Sequence, residues 1–415
     1  MHVIGWLLLA AIATPAHAPV GRTPAALRTY MAAYSARNLE EAHAMIPAWA
    51  RRYSKNCDAC HYPVPPRLNA EGQRFKWAGY RYPDAIGEKV EVEKIQNYVA
   101  AGTSVAYEYN KEEGLPATNS FSAPAITLFY AGPLGRTFSG FLELEHGPEN
   151  EIERVVHVST LWGKENSYGG FRFGQMHNLF EWGVAGFDRP AGITAPTPID
   201  EPLTAAIPFM LGEHALGLEG YYVAGRNRFS AQVLNGITTE GEIGAADADT
   251  KKDFLVTDQV LIDEAGSGVQ AMGYYGTVVG LDTLSPGLTS HFWRVGLTAN
   301  KIYRDFELLG GVVYGKDIDL PAGLAFSGNQ NRAVGYWVSG QYFVAKAPVA
   351  LFGRYEFRDP DTDVPDDANR RFVVGAVVPL NLPQYLRWAV EYRLDSPQGG
   401  APKTNNVATE FRLNF

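Results

Sequence analysis

The sequence predicts a mainly β fold: a transmembrane antiparallel β-barrel of about sixteen strands with a small α-helical segment in front of it. Three observations carry that expectation. From about residue 100 onward apolar and polar residues alternate in segments of about ten, the length a tilted membrane strand needs. The connections between segments alternate between tight turns and long loops. The chain closes on an aromatic, Phe415, in step with Phe411 and Leu413.

Composition agrees. Of 415 residues, 46% are apolar and 12% aromatic, with 43 glycines. That is too apolar for a disordered chain and suits extended strands. There are 45 acidic and 36 basic side chains, for a net charge of −9. A weakly acidic chain is a poor match for nucleic acid, whose binding rests on Lys and Arg at phosphates. Beyond the N-terminus no apolar run is long enough for a membrane-spanning helix, whereas membrane strands hide behind alternation.

Residues 1–18 read as a signal peptide, an apolar stretch closed by the small-x-small pattern Ala16-His17-Ala18. Residues 19–44 form an N-terminal extension in which Leu27, Tyr30, Met31 and Tyr34 recur at helical spacing.

The two cysteines of the chain fall in one pentapeptide, Cys57-Asp58-Ala59-Cys60-His61. C-x-x-C-H is the attachment sequence of a c-type haem. Thiols at this spacing add across the two vinyl groups of one haem, and the adjacent imidazole reaches the iron. Residues 45–98 are therefore expected to be a monohaem cytochrome c segment, with Cys57 and Cys60 as thioethers and His61 as axial ligand. A zinc site needs four ligands and finds no second Cys or His pair nearby. A thioredoxin-type pair belongs at a helix start after a strand, which Pro63, Pro65 and Pro66 oppose. A disulfide across so short a loop would add little stability. For the sixth iron position, no Met or His occurs between His61 and His146. The candidates are Met45, just upstream, and Met176 or His177 from later in the chain, with five-coordinate iron as the remaining option.

Residues 99–415 carry the barrel. Segments start near residues 100, 122, 136, 151, 168, 214, 226, 252, 269, 289, 303, 332, 348, 370, 384 and 405, an even number, as in bacterial outer-membrane barrels. In the last segment Val407, Thr409 and Phe411 share one face and Ala408, Glu410 and Arg412 the other. Before it, Trp388, Val390 and Tyr392 oppose Arg387, Ala389 and Glu391. Phe171 and Phe173 read as lipid-facing, which aims Arg172, Gly174 and Met176 at the lumen, and His157 has lumen parity too. Tight connections are expected at Ala131–Gly135, Gly163–Ser167, Ala224–Asn227, Asp263–Gly268, Asn300–Ile302 and Ala345–Ala347. Long external loops are expected at Asn178–Glu213, Ile237–Lys251, Lys316–Asn331, Asp359–Asn369 and Asp395–Thr404. Both termini then lie on the short-turn, periplasmic side, and the haem segment is periplasmic or plugs the lumen from there.

The long loops are acidic, with Glu240, Glu242, Asp247 and Asp249, then Asp317 and Asp319, then Asp359, Asp361, Asp363, Asp366 and Asp367. Carboxylates there concentrate cations at the mouth, or are ordinary solvated loop charge.

Two stretches flank the cysteines: Ile46-Pro-Ala-Trp-Ala-Arg-Arg-Tyr53, and Pro66-Arg-Leu-Asn-Ala-Glu-Gly-Gln-Arg-Phe-Lys-Trp-Ala-Gly-Tyr80. Together they resemble the fused monohaem cytochrome–porins of iron-oxidising bacteria. The specific likeness covers residues 44–82, and the order of cytochrome then barrel covers the whole chain. The resemblance implies an outer-membrane protein that takes electrons from an extracellular donor, Fe(II), and passes them to a periplasmic c-type cytochrome. This chain departs from the family in the extension at residues 19–44.

Geometry leads to the same expectation. An apolar layer of about 25 Å stops electrons, and one haem inside a wide barrel brings an outer donor and an inner acceptor to the same centre. One rival is a substrate-selective porin with a haem-bearing plug or redox gate, in which Arg354, Arg358, Arg387, Arg393 and Arg412 select anions. The other is a haem peroxidase-like enzyme, which needs an open iron position. As an enzyme, the main reading would be an oxidoreductase of Fe(II):cytochrome c type.

Overall fold

The computed structural model describes residues 48–55, 59–61, 67–90, 97–122, 124–146, 152–177, 192–212, 214–237, 250–281, 287–324, 326–344, 347–381 and 385–414. Met45, Cys57 and residues 1–18, expected as a signal peptide, lie outside the described residues, as do Glu240, Glu242, Asp247, Asp249 and Phe415. Three short helices are α1 (Ala48–Tyr53), α2 (Ala70–Trp77) and α3 (Thr197–Asp200). No helix among the described residues is long and apolar enough to cross a membrane.

The first strands are β1 (Val99–Glu112), β2 (Thr118–Phe121), β3 (Ala125–Pro133), β4 (Phe138–His146), β5 (Ile152–Lys164) and β6 (Ser167–His177). Next come β7 (His214–Ala224), β8 (Asn227–Asn235), β9 (Lys252–Leu261), β10 (Gly268–Val279), β11 (Thr289–Tyr303) and β12 (Phe306–Ile318). The last are β13 (Asn331–Phe343), β14 (Ala350–Asp359), β15 (Asn369–Asn381), β16 (Tyr385–Pro397) and β17 (Thr404–Asn414).

From β3 to β17 each strand pairs antiparallel with the next, and β1 closes the ring against β17, with Val105 opposite Phe411. Both β2 and β3 pair with β1, and between them the register slips by one residue. Ser122 marks the slip: its N–H donates to Ala106 O at 2.9 Å, and its Oγ accepts from Ala106 N at 3.0 Å. A single extra residue in one strand is a bulge, so β2 and β3 are two halves of one strand. The result is a closed sixteen-strand antiparallel barrel, as the alternation predicts.

The faces also follow the alternation. Phe171, Phe173, Val156, Val158, Trp388 and Phe411 point outward, Phe173 being 67% exposed. Arg172, His157, Arg387, Glu391 and Glu410 are buried on the inner face. An apolar belt around a polar-lined interior is the arrangement a bilayer imposes on a barrel. The first described barrel residues and Asn414 meet at the short-turn end, where Gly102 faces Asn414.

Two tight turns depart from expectation. The one placed at Ala131–Gly135 falls at residues 134–137, because Ala131, Gly132 and Pro133 still pair with Phe141, Gly140 and Ser139. The connection placed at Asn300–Ile302 falls at Arg304–Asp305, because Lys301, Ile302 and Tyr303 still pair with Leu308, Glu307 and Phe306. Arg304 takes the left-handed φ of 54° that a two-residue hairpin requires. The alternation simply runs on to Tyr303, and charged Arg304 and Asp305 supply the solvated turn.

Candidate functional site: two inserts in one lumen

The segment that follows the cysteines docks on the inner wall at the short-turn end. Asn69 caps α2, its Oδ1 accepting from Gly72 N at 2.9 Å, a standard helix-start bond. The same residue ties the helix back to the cysteine segment: Asn69 Nδ2 donates to Ala59 O and Asn69 N to Cys60 O, each at 2.9 Å. Gly72 packs so close to Cys60 that a Cβ there would collide with the Cys60 carbonyl oxygen. Gly72→Ala is therefore expected to displace the Cys60–His61 turn, read as faster amide exchange at residues 59–61.

The wall-facing side of α2 buries Ala70 and Trp77, with Ala78 and Ile86, against Leu161, Tyr168, Tyr221, Val223 and Leu261 of β5, β6, β7 and β9. Polar bonds fix its height. Trp77 Nε1 donates to Gln259 Oε1 at 3.1 Å, Ala70 N to Glu264 O at 3.3 Å, and Arg74 pairs with Glu264 at 2.6 Å. Buried Arg81 donates to Gly135 O, Arg136 O, Phe138 O and Ser139 Oγ around the β3–β4 turn. Trp49 of α1 stacks on Tyr80 at 5.6 Å, Tyr80 on Phe141 of β4 at 5.3 Å, and Phe141 on His157 of β5 at 5.1 Å. Burial of Tyr53 among Phe75 and Tyr82 pushes its phenol up to about 12.

His61 Nδ1 lies 3.1 Å from Arg67 O. A carbonyl only accepts, so Nδ1 carries the proton and the lone pair of the neutral ring is on Nε2. Cys60 is half-buried beside it. This donor set fits a c-type haem: an imidazole oriented through Nδ1, as metal-bound histidines are, next to a cysteine held by its own carbonyl. Cys57, the other thiol, is outside the described residues.

The candidate sixth ligands are not all brought together with His61. Met176 and His177 end β6 opposite Ala215 and His214, at the long-loop rim, whereas Arg67 beside His61 reaches Glu307 at the short-turn rim. Ten residues of strand span about 33 Å. The side chains of Met176 and His177, and Met45, are outside what is described.

A second insert enters from the opposite end. The β6–β7 connection, expected as an external loop, instead folds inward at residues 192–212. Ile199, Leu203, Ile207, Phe209 and Leu211 pack on Leu255, Tyr274, Phe292, Val313 and Trp337 of the wall. Five apolar side chains that close together cannot stay in water at low cost. Polar latches complete the seat. Glu391 accepts from Ile193 N at 2.8 Å and from the Thr194 hydroxyl; Glu356 accepts from Thr197 N at 2.7 Å; Arg294 Nη2 donates to Thr204 Oγ1 at 2.9 Å.

The lumen arginines are mostly spent. Arg354 pairs with Glu356 at 2.5 Å, Arg358 with Glu201 at 3.0 Å, Arg387 with Glu410 at 2.9 Å, Arg393 with Glu108 at 3.2 Å and Arg412 with Glu410 at 3.4 Å. Arg172 and Arg228 share fully buried Glu219 at 3.4 and 2.8 Å.

The acidic rim is also smaller than the sequence suggests. Asp317 belongs to β12, faces inward and pairs with Arg294 at 2.8 Å. Asp361 is buried, with its Oδ1 accepting from Asp363 N at 3.1 Å. Asp367, on the β14–β15 loop, is pushed up to about 6 by burial and by the neighbouring Asp359 and Asp361. A raised carboxyl contributes stability that is complete below the unfolded value near 3.8 and lost as pH rises through about 6. Protection of amides in residues 360–368, relative to their intrinsic base-catalysed exchange, should therefore fall between pH 5 and pH 7, and Asp367→Asn should flatten that dependence.

No protein-family model and no curated protein sequence matches this chain. Solved structures do resemble it. An anion-selective porin from Comamonas acidovorans has a TM-score of 0.56 at 13% identity, over 76% of this chain and 98% of that one. A loop-deleted OmpT, an outer membrane protein of Vibrio cholerae, has 0.53 at 14% over 76% and 99%. The outer membrane channel DcaP of Acinetobacter baumannii has 0.53 at 12% over 76% and 96%. At such identities the likeness establishes the fold: this is a barrel of the outer-membrane porin type.

Proposed function

We propose that the chain is an outer-membrane barrel of porin type that carries a covalent haem c on its own plug and moves single electrons across the membrane. The observation that supports this most is the Cys60–His61 turn, oriented by Arg67 and Asn69 and continuous with a helix seated on the lumen wall. Bound at Cys57, Cys60 and His61, haem c would supply reversible one-electron chemistry. The chain supplies the rest: a belt that lodges in lipid, and a wall that holds the ligand segment at the short-turn end of the lumen. An external donor, Fe(II) as the resemblance implies, becomes Fe(III) as it gives up one electron. An oxidised periplasmic c-type cytochrome gains that electron. No bulk flow is needed, which agrees with a lumen entered by two inserts.

The test is a stopped-flow mix of oxidised, detergent-solubilised protein with Fe(II), followed by a soluble periplasmic cytochrome. Rapid reduction that passes to the cytochrome supports the reading. Reduction by dithionite but not by Fe(II) removes iron as the donor, and absence of covalent haem removes the conduit altogether.

A second reading has its own support, because the similar solved structures are outer-membrane proteins that include an anion-selective porin and a channel. A porin whose plug acts as a redox gate would use the same fold. Against it, the arginines that would select anions are engaged with carboxylates. Conductance in planar bilayers separates the two: the conduit should pass few ions in either redox state, whereas a gate should open in one.

A further inference from the structure

We propose that Glu307 on the barrel wall is a positioning residue for His61, fixing the carbonyl to which the imidazole donates and thereby tuning the iron ligand. This inference rests on the haem c reading above. The bond from His61 Nδ1 to Arg67 O decides how electron-rich Nε2 is, since a firmly held acceptor draws the Nδ1 proton and strengthens the donor on the far side of the ring. Whatever fixes the Arg67 carbonyl therefore tunes the ligand.

That anchor is the barrel. Arg67 Nη2 donates to Glu307 Oε1 at 2.6 Å, and both side chains are buried, Glu307 completely. Asn300 Nδ2 donates to the same oxygen at 3.2 Å. Asn300 is in turn held by the β9–β10 turn, its Oδ1 accepting from Gly268 N at 2.9 Å and its Nδ2 also reaching Gly266 O at 3.3 Å. On the plug side, Leu68 bridges to His61 and Asn69 N holds Cys60 O. A chain of contacts thus runs from β10, β11 and β12 to the imidazole, between residues 240 positions apart in sequence. A buried charge-assisted bond of this length is stiff, and its loss leaves the guanidinium of Arg67 to find another place.

The test uses the full chain, matured with haem in an exporting host and purified folded in detergent. Glu307→Gln should keep covalent haem yet raise the reduction potential, because a looser carbonyl weakens donation from His61 and oxidised iron loses stabilisation. The expected size is about tenfold in the oxidised-to-reduced ratio, which is about 59 mV for one electron. Glu307→Asp should move the potential back toward wild type, which a merely structural contact would not require. If Glu307→Gln fails to fold, Arg67→Met breaks the same link from the plug side and is read in the same way. A folded, haem-loaded variant whose ratio stays within twofold of wild type overturns the proposal and leaves the haem reading intact. Wild-type chain without haem stain overturns both.

Discussion

Replacing Glu219 by Ala should leave little barrel able to refold in detergent. The carboxylate sits between Arg172 and Arg228, and all three side chains are buried on adjoining strands β6, β7 and β8. Both guanidiniums also lie over the ring of Tyr221, at 5.8 and 4.5 Å. Removing the shared anion leaves two like charges facing each other, walled off by α2 and its neighbours. Breaking a buried pair costs about 3–5 kcal/mol, and here one truncation breaks two. The measurement is urea titration of the detergent-folded barrel, followed by heat-modifiable gel migration. A triple variant, Arg172→Met with Glu219→Leu and Arg228→Met, should recover most of the loss, because a buried ion triad is often replaceable by apolar residues of similar volume. Glu219→Ala with wild-type stability would mean that water, not Glu219, compensates the arginines.

What the sequence made legible follows from the period of a strand. Side chains alternate every residue, so a single outward Phe171 or Trp388 assigns the parity of its whole segment, and the lumen positions of Arg172, His157 and Glu391 come with it. The broken strand at Ser122 was legible only in its second half: the expected segment starts near residue 122, so Thr118–Phe121 before the bulge falls outside it. The end of β11 was not legible, since Lys301 pairs at the rim like any strand residue while reading as a turn charge.

The lumen's contents were harder to read. Residues 178–213 look like a long external loop, and the signal that part of it turns inward is the apolar set Ile199, Leu203, Ile207, Phe209 and Leu211, too dense for a solvated loop. Asp317 was read as rim charge because parity gives a side and not a height. The C-x-x-C-H motif is visible in the sequence through its spacing. Its anchors are not: Arg67 and Glu307, or Trp77 and Gln259, meet only because the chain closes into a ring, and no local pattern encodes that. The helix α2 shows why. A helix packed on a mixed polar and apolar wall has no clean apolar stripe, so Gln73 and Trp77 are buried together.

The plug should come off the wall when its two firmest anchors are removed together. Arg81 gives four donor bonds to the β3–β4 turn and its neighbours, and hydrogen bonds from a charged donor contribute about 1.5–3 kcal/mol each. Trp77 fills the junction with Leu161, Tyr168 and Tyr221, and truncating a buried Trp costs about 3–5 kcal/mol. The barrel itself closes through backbone pairing that neither residue supplies. Arg81→Ala with Trp77→Ala should therefore leave the barrel heat-modifiable while exposing α2, whose Arg74 and Lys76 are trypsin sites. Cleavage there should accelerate by at least a hundredfold, since every 1.4 kcal/mol lost from docking is about tenfold in the open population. Each single variant should fall well short of the pair, because the remaining anchor still holds. Conductance should rise less than proteolysis, because residues 192–212 stay latched to Glu356 and Glu391 on the far side. Adding Glu391→Ala should loosen only residues 193–194, because Glu356, Arg294 and the apolar seat still hold the rest of the insert. Equal cleavage rates in wild type and double variant would show that the plug is held chiefly by the aromatic stack of Trp49, Tyr80 and Phe141 rather than by Arg81 and Trp77.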